Sequence, residues 1–508
     1  MKARTLFVLV VAASLASRSL AEEAKLDARI FAGKGSGEPS SFLVLLREQA
    51  DVSGAERLAG KEEKGRFVYE ALRAHADATQ APIRERLRKA GVPFRLFFLV
   101  NMVEVEASLA LATELAGRDD VVAVAANRPA ALPAKPFLPL EDAAASPAEI
   151  ESNIEKIRAP ALWASGFRGQ GIVVALADTG LTWDHPALRD RYRGFDGSSV
   201  SHDYNWHDAI HAPGPGNPCG ADSAAPCDDE GHGTCCAGLI AGNEGANQVG
   251  VAPEARLIGC RNMDRGVGTP ASYTECFQFF LAPTNFAGQN PRPDLAPDVI
   301  NNSWGCPPSE GCTDPNILRA VVENTRAAGI FVAMAAGNEG DACFTVDTPP
   351  AIYEAAFSVG ATTLDDTIAG FSSRGPVTVD GSERLKPDLV APGVGVRTAA
   401  LPAGYRTFTG TSAAAPHVSG AVALLYSAAP NLRGRPVEAG EVLKRSAAPL
   451  TAAQDCGGIA GADVPNAVFG FGRLDVAAAA ALAAPVERTL PRPPARTRAT
   501  RALRPRGQ

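Results

Sequence analysis

Four short segments of the sequence carry side chains that together could hydrolyse an acyl bond. Asp178 lies in Ala-Leu-Ala-Asp-Thr-Gly, His232 in Gly-His-Gly-Thr, Asn338 in Ala-Ala-Gly-Asn-Glu-Gly and Ser412 in Gly-Thr-Ser-Ala. A serine hydroxyl is a weak nucleophile without a base, and a carboxylate-bound imidazole is a common base. A side-chain amide can stabilise the oxyanion that forms during acyl transfer. Because Asp, His, Ser is one of the chain orders in which such triads occur, a serine hydrolase is predicted.

The residues around Ser412 predict that it lies at the start of a helix. Residues 413–426 are rich in Ala, Val and Leu, and Pro416 falls early, where a helix tolerates proline. The first backbone N–H groups of a helix have no partner inside it and carry the positive end of its dipole. We therefore expect the backbone N–H of Ser412 and the side-chain amide of Asn338 to be the two oxyanion donors.

Each of these segments also has an interpretation without serine chemistry. A histidine in a loop is often structural, and Gly-Thr-Ser is a frequent helix start. Asp-Thr-Gly is also the signature of aspartic proteases, which would use Asp178 but need a second such aspartate, and the sequence has a single Asp-Thr-Gly. A protease fold that is catalytically silent and only binds partners is a further alternative. The presence of all four segments in order favours the serine mechanism.

Alternating strands and helices from residue 149 onward are expected to position these side chains. Residues 171–177 form a continuous apolar strand, further strands are predicted over 255–259, 299–301, 330–335 and 356–359, and helices over 315–328 and after Ser412. Such alternation indicates a parallel α/β sheet covered on both faces. In these sheets active residues follow the carboxyl ends of strands, as Asp178 and Asn338 do.

The N-terminal region predicts a targeting segment followed by a small separate unit. Residues 1–21 combine a basic start, an apolar run and a small-residue cleavage motif, which is typical of a signal peptide. Residues 41–127 predict the order β-α-β-β-α-β of a split βαβ sandwich, with helices over 64–90 and 109–116 and a strand over 94–100. Residues 128–147 are rich in Pro and Ala and predict an exposed linker.

Composition and charge limit the partners that the protein can have. The chain has 508 residues, 46% hydrophobic and 21% charged, which is typical of a globular protein with more than one folded unit. Its net charge of −7 includes a basic tail over 485–508 that is expected to be disordered. The acidic remainder gives no argument for nucleic acid or membrane binding.

The ten cysteines fit an exported protein, because oxidising compartments permit disulfides. The pairs Cys219–Cys227 and Cys306–Cys312 each bracket a short loop and are the predicted disulfides. The partners of the other cysteines stay open at this point.

The motifs resemble those of the subtilisin-like serine proteases, or subtilases, over residues 150–480. Asp178, His232, Asn338 and Ser412 take the places of the family's triad and oxyanion amide. Segments at 192–194, 204–208 and 301–305 look like the bacillopeptidase F-like branch, and residues 41–127 resemble the inhibitor-type propeptide. The resemblance implies a parallel-sheet subtilisin-like α/β catalytic domain over 150–484. A small α+β (βαββαβ) propeptide domain with its linker, over 22–140, would precede it.

The resemblance also implies which segments border the substrate, an extended peptide that would add to them as a strand. One edge and the primary pocket would be formed by Ser303, Trp304 and Gly305, the other edge by Gly266 to Gly268, and the pocket lining by Ala335, Ala336 and Gly337. The small pocket residues leave space for an apolar P1 side chain. Plain core strands are the alternative for these segments.

Three residues depart from the family's usual pattern. Cys235 replaces a usual histidine, and Cys236 falls where thiol-containing subtilases carry a cysteine near the catalytic histidine. We expect both to be small buried fillers, with a redox or mercury-sensitive role as the alternative. Ala413 replaces the usual methionine after the serine, which predicts better tolerance to peroxide.

A calcium site is implied by the resemblance but has no assigned ligands. Asp222, Asp228, Asp229 and Glu230 form an acidic loop whose spacing identifies no calcium site. A solvated charged loop is the alternative.

The whole pattern predicts a secreted serine endopeptidase that is made as a self-processing zymogen. Its partners would be protein or peptide substrates and its own propeptide, acting as an intramolecular inhibitor. The chemistry requires no cofactor, and a monomer is expected. Substrate specificity and the propeptide cleavage site stay open.

Overall fold

The computed structural model describes residues 25–127 apart from Ser36, the backbone of residues 141–142, and residues 150–484. The predicted signal peptide, the predicted basic tail and almost all of the predicted linker lie outside the described residues. None of the helices in the described ranges has both the length and the hydropathy that a membrane span needs.

Residues 25–127, called the N-terminal unit below, contain a four-stranded antiparallel sheet with the strand order β2-β3-β1-β4. Its elements are β1 (Ser40–Leu46), α1 (Lys61–Thr79), α2 (Ala81–Ala90), β2 (Phe94–Phe97), β3 (Met102–Ala107), α3 (Leu109–Ala116) and β4 (Val121–Ala126). The single helix predicted over 64–90 is two helices, because Pro82 in the first turn of α2 cannot continue a preceding helix. The strand predicted over 94–100 ends at Phe97, where a turn begins.

The remaining elements follow residue 140, and most belong to one large domain. They are β5 (Glu141–Asp142), α4 (Ser152–Lys156), α5 (Ala159–Ala164), β6 (Val173–Asp178), β7 (Trp206–Asp208), α6 (His232–Ala241), β8 (Asn243–Glu244), β9 (Asn247–Gln248), β10 (Arg256–Arg261), β11 (Met263–Asp264), β12 (Val267–Gly268), α7 (Pro270–Leu281), β13 (Val299–Asn302), α8 (Arg319–Ala327), β14 (Phe331–Ala335), β15 (Phe357–Thr362), β16 (Leu389–Pro392), β17 (Val396–Ala400), β18 (Gly404–Phe408), α9 (Thr411–Ala428), α10 (Pro436–Ser446) and α11 (Val476–Ala483).

A seven-stranded parallel sheet with the order β16-β15-β14-β13-β6-β10-β7 is the centre of this domain. Alternate residues of β6 face two separate cores: Val174 and Leu176 pack with α6 and α9, whereas Ala175 and Ala177 pack with α7 and α8. A strand buried on both faces is predominantly apolar, which is why the residues of β6 before Asp178 form a continuous apolar run. The predicted parallel α/β fold is confirmed.

The N-terminal unit packs on the face of the sheet that α7 and α8 cover. Leu43 of β1 and Phe97 of β2 belong to the same buried cluster as residues of these two helices. Polar contacts flank this cluster, because Asn127 Oδ1 accepts the backbone N–H of Ala271 at 3.0 Å and Arg95 pairs with Glu275 at 2.7 Å. The first turn of α7 thus gains an acceptor from the N-terminal unit for one of its unpaired N–H groups.

Four disulfides are present, and both predicted pairs, Cys219–Cys227 and Cys306–Cys312, are among them. The other two pairs, which the sequence left open, are Cys260–Cys276 and Cys343–Cys456. Cys260–Cys276 joins β10 to α7, and Cys343–Cys456 joins two segments that are 113 positions apart in the sequence. Cys235 and Cys236 lie outside the disulfides and are buried.

Candidate active site

Asp178 and His232 meet at the carboxyl end of the central strand β6. Asp178 is the last residue of β6 and His232 the first residue of α6, and Asp178 Oδ1 lies 2.7 Å from His232 Nδ1. The close approach of α6 to the chain after β6 requires glycine at 233, because a Cβ there would lie 2.1 Å from the carbonyl oxygen of Gly180. Since Asp178 accepts the Nδ1 hydrogen, the Nε2 lone pair of His232 can act as a base.

The acidic surroundings of His232 raise its pKa. Burial is the largest single influence and lowers the pKa of the imidazole, but the charge and hydrogen bond of Asp178, together with the charges of Glu230 and Asp228, outweigh it. The ring of Phe408 packs edge-on against the imidazole at 5.1 Å between centroids. His232 is therefore held in one orientation and favours the protonated form more than an exposed histidine does.

Asp228 positions the start of α6, a role that the sequence did not reveal. Its carboxylate accepts the backbone N–H groups of Gly231 and Thr234 at 2.7 and 2.8 Å and the hydroxyls of Thr179 and Thr234. These bonds tie α6 to the chain that follows Asp178. The signal available in the sequence was an aspartate four residues before the histidine, but an acidic loop has many other uses.

Ser412 is the second residue of α9, at the helix start that the sequence predicted. Its Oγ donates to the carbonyl oxygen of Ser303 at 2.9 Å, and Ser303 Oγ donates to the carbonyl oxygen of Ser412 at 3.0 Å. Cys236 lies between histidine and serine, with its Sγ 3.8 Å from His232 Nδ1 and 3.6 Å from the carbonyl oxygen of Ser412. The structure thus brings Asp178, His232 and Ser412 into one buried cluster.

Asn338 lies beside Ser412 in the loop after β14, and Thr411 fixes the orientation of its amide. Asn338 Oδ1 accepts both the backbone N–H and the hydroxyl of Thr411 at 2.9 Å. With the oxygen engaged, the Nδ2 group faces the space next to Gly410, where an added Cβ would lie 3.6 Å from Nδ2 and 3.5 Å from the backbone N of Ser412. Two N–H donors therefore flank one small volume beside the serine. The sequence did not assign this role to Thr411.

Of the segments expected to border the substrate, residues 303–304 and Gly337 contact residues of this cluster or their chain neighbours. Ser303 follows β13, Ala335 ends β14, and the backbone N–H of Gly337 donates to Thr411 Oγ1 at 3.3 Å. Gly266 and Gly268 belong to the short hairpin of β11 and β12. Trp304 is buried, and its Nε1 donates to the carbonyl oxygen of Ala177, next to Asp178.

The acidic loop does not gather its carboxylates around a common point. Asp222 bonds to His211 Nδ1 at 2.5 Å, Asp229 pairs with Arg261 at 3.3 Å, and Glu230 accepts the backbone N–H of His232 at 3.0 Å. Among the described residues, the one group of three potential ligand side chains within 4.8 Å of one another is Asp178, His232 and Cys236. These loop residues, as arranged, do not fit a calcium site.

Cys235 and Cys236 are both fully buried in the first turns of α6. Burial raises the pKa of both thiols well above the usual value, with the charges of nearby carboxylates acting in the same direction. A thiol that stays protonated is a poor nucleophile. The expectation that both are buried fillers therefore agrees with their surroundings.

The fold and this cluster define a class of protein, and comparison with known proteins identifies the family. The model of the Subtilase family (Peptidase_S8) matches residues 169–472, more than half of the chain. The chain belongs to the subtilase family. The alternative of an aspartic protease needs two carboxylates that share a proton. Asp178 is instead bonded to the imidazole of His232.

Individual relatives are found among the proteases of Bacillus subtilis (strain 168). Bacillopeptidase F is 32% identical over 471 residues, which are 86% of this chain and 31% of that protein. The Major intracellular serine protease is 32% identical over 282 residues, 55% of this chain and 76% of that protein. Subtilisin E is 35% identical over 281 residues, 54% of this chain and 61% of that protein. The chain thus spans less than a third of the length of Bacillopeptidase F.

Proposed function

We propose that this subtilase is a secreted endopeptidase in which Asp178, His232 and Ser412 form the catalytic triad and Asn338 supplies the oxyanion amide. The observation that carries the proposal is the 2.7 Å contact between Asp178 and His232 beside Ser412, at the start of α9. The geometry of the base, the helix terminus and the oriented amide suits acyl transfer.

In the proposed reaction, Ser412 Oγ attacks the carbonyl carbon of a peptide bond while its proton passes to His232 Nε2. The oxyanion that forms accepts hydrogen bonds from the backbone N–H of Ser412 and the Nδ2 group of Asn338. The C–N bond then breaks, and His232 gives its proton to the leaving amine. Water attacks the acyl-enzyme in the same manner, with His232 as base and then as acid, which restores Ser412. These steps use groups of the protein and water alone, so the proposed reaction needs no cofactor.

The proposed substrate is an extended peptide that lies between the edges formed by Ser303 to Gly305 and by Gly266 to Gly268. Ala335, Ala336 and Gly337 would line the primary pocket. Main-chain hydrogen bonds to such edges bind a peptide with little regard to its side chains. We propose protein or peptide substrates with an apolar P1 residue and a monomeric enzyme. A structural calcium ion would need ligands other than the carboxylates of the acidic loop.

We also propose that the N-terminal unit is the propeptide of a zymogen and inhibits the enzyme until it is cleaved off. Its contacts with the catalytic domain support this, because Lys61 of α1 reaches the buried carboxylate of Asp298 at 3.6 Å and Asn324 of α8 donates to the carbonyl oxygen of Leu99 at 2.7 Å. We propose that this buried ion pair between the two units favours one mode of docking. Residues 1–21 would direct export.

The test is expression of the full chain with and without Ser412→Ala. The wild-type chain is expected to cleave casein at pH 8 and to release its N-terminal unit, whereas the variant is expected to do neither. Cleavage of the purified variant by added wild-type enzyme would show that the processing site is intact. Normal maturation of the variant without added protease would contradict self-processing, and casein cleavage by the variant would contradict the role of Ser412.

A further inference from the structure

A stacked pair of aromatic rings connects the two segments that are proposed to border the substrate. The rings of Tyr273 and Trp304 lie 3.8 Å apart between centroids with an angle of 4° between their planes. Trp304 belongs to the edge formed by residues 303–305, and Tyr273 lies on α7 directly under Gly268 of the other edge. A Cβ at Gly268 would lie 2.4 Å from the Tyr273 ring, so glycine is required for this approach.

Glu310 completes the connection from the far side of Tyr273. It lies in the loop that the Cys306–Cys312 disulfide closes, immediately after the edge formed by residues 303–305. Its Oε2 accepts the Tyr273 hydroxyl at 2.5 Å, and the backbone N–H of Gly268 favours the ionised form of its carboxyl group. Glu310, which is 6% exposed, is thus bonded to the residue beneath one edge of the cleft, while its own loop continues the other edge.

We propose that Glu310 is a positioning residue that fixes the spacing between the two peptide-binding edges and thereby sets affinity for substrate residues remote from the scissile bond. The inference rests on the proposed function, because it needs a peptide bound between these edges. Glu310 acts through Tyr273, whose ring packs against Gly268, and takes no part in the reaction at Ser412. Short substrates that contact only the primary pocket do not depend on the spacing of the edges, whereas longer peptides do.

The protonation state of Glu310 gives this role a pH dependence. Burial raises the pKa of Glu310 to about 8, with the bonds from Tyr273 and Gly268 acting in the opposite direction. Tyr273 is the titratable group that faces it from α7; burial raises the pKa of Tyr273 well above its usual value, and the charge of Asp178 also reaches that ring. Ionisation of Glu310 places a charge in a buried site without a cationic partner among these groups, which loosens the contact between the edges.

The experiment measures kcat and KM of the mature wild-type enzyme, Glu310→Ala and Glu310→Gln on two substrates with the same P1 residue. One is a single-residue ester and the other a peptide anilide with four residues before the scissile bond. Glu310→Ala is expected to raise KM for the longer substrate by about tenfold, the effect of a lost buried hydrogen bond to one edge. The ester kcat/KM is expected to stay within about twofold of the wild type.

Glu310→Gln keeps a carbonyl acceptor without a titratable proton, so it is expected to restore KM for the longer substrate. In the wild type this KM should rise as the pH increases through 8, and in Glu310→Gln it should not. Equal losses on both substrates, or a KM for the longer peptide that neither variant changes at any pH, would overturn the inference. If the wild-type enzyme cleaves neither substrate, the proposed function fails instead. Glu438→Gln, an exposed change on α10, is the matched control and should leave every value unchanged.

Discussion

Ser412 and Ser303 hold each other by two reciprocal hydrogen bonds. The hydroxyl of Ser412 donates to the carbonyl oxygen of Ser303 at 2.9 Å, and the hydroxyl of Ser303 donates to the carbonyl oxygen of Ser412 at 3.0 Å. The proposed nucleophile is therefore fixed to an edge of the proposed substrate cleft. For catalysis its proton must be donated to His232 instead of to Ser303, so the arrangement of this edge and the activation of the serine are coupled.

The Ser303 hydroxyl is expected to stabilise the start of α9. Ser303→Ala removes its donation to Ser412 and leaves Asn301 Nδ2, which donates to it at 3.0 Å, without that acceptor. A loss of about 1–3 kcal/mol in the free energy of unfolding is expected, because the site is fully buried. Urea unfolding in a Ser412→Ala background, which prevents self-digestion, measures it.

Ser427→Ala is the matched control for this loss. Ser427 lies near the other end of α9, is half-buried, and donates to the carbonyl oxygen of Leu424 at 2.8 Å. Water can replace this bond, so the loss should be smaller than 1 kcal/mol, roughly the effect of an accessible hydroxyl. Equal losses in the free energy of unfolding for the two variants would show that the Ser303–Ser412 contact contributes no more to stability than an accessible hydrogen bond does.

Removal of the Asn338 amide is expected to reduce kcat more than it changes KM. For Asn338→Ala the expected loss in kcat is about 10²–10³-fold, the magnitude known from the same kind of amide in subtilisin itself. Thr411→Val removes one of the two donors that orient Asn338 Oδ1, so a smaller loss of about 5–10-fold is expected. Steady-state kinetics on a peptide anilide provides both values, and an unchanged kcat in Asn338→Ala would exclude the proposed oxyanion role.

The pH dependence of kcat/KM is expected to report the link between His232 and Asp178. Asp178 raises the pKa of His232 against the opposing effect of burial. Because protonated His232 cannot act as a base, activity should fall as the pH decreases through this raised pKa. Asp178→Asn should move the acidic limb of the profile to lower pH and reduce kcat by about 10⁴-fold.

Glu230→Gln is expected to shift the acidic limb of the kcat/KM profile in the same direction as Asp178→Asn, but by less. Glu230 also raises the pKa of His232, and a glutamine carbonyl can still accept the backbone N–H of His232. A smaller shift of the acidic limb to lower pH, with kcat nearly retained, is expected. An acidic limb that moves to higher pH in either variant would contradict this electrostatic account.

Ala413 is expected to protect the activity from peroxide. It directly follows Ser412, is fully buried in α9, and has no sulfur atom to oxidise. Ala413→Met should introduce a peroxide-sensitive loss of activity, because a sulfoxide would place a polar group beside the nucleophile. Residual activity after timed exposure to peroxide compares the two enzymes, and rapid inactivation of the wild type would show that another residue limits oxidative stability.

The inner strands of the large sheet could be predicted from the sequence, and its two edges could not. The strands β6, β10, β13, β14 and β15 each contain buried apolar residues, because both faces of the sheet are covered. The edge strands β7 and β16 have three and four residues, and they contain His207 with Asp208 and Pro392, respectively. Short strands with polar residues or proline are typical of sheet edges but lack a distinct sequence signal.

The candidate site likewise contains residues that could be predicted from the sequence and residues that could not. Residues in compact motifs, such as Asp178 and His232, could be predicted because their chemistry and chain order are restrictive. Asp228 and Glu310 could not, because their roles depend on contacts between segments that are distant in the chain. The donation of Tyr273 to Glu310 spans 37 residues, and no local periodicity encodes it.

The most direct test of the serine mechanism is reaction of the mature enzyme with a phosphonyl fluoride at neutral pH, followed by peptide mass spectrometry. The prediction is loss of activity in proportion to one phosphonyl group per chain, attached to Ser412, with His232→Ala reacting far more slowly. Full activity after treatment, or a stoichiometric label on a residue other than Ser412, would contradict the proposed triad.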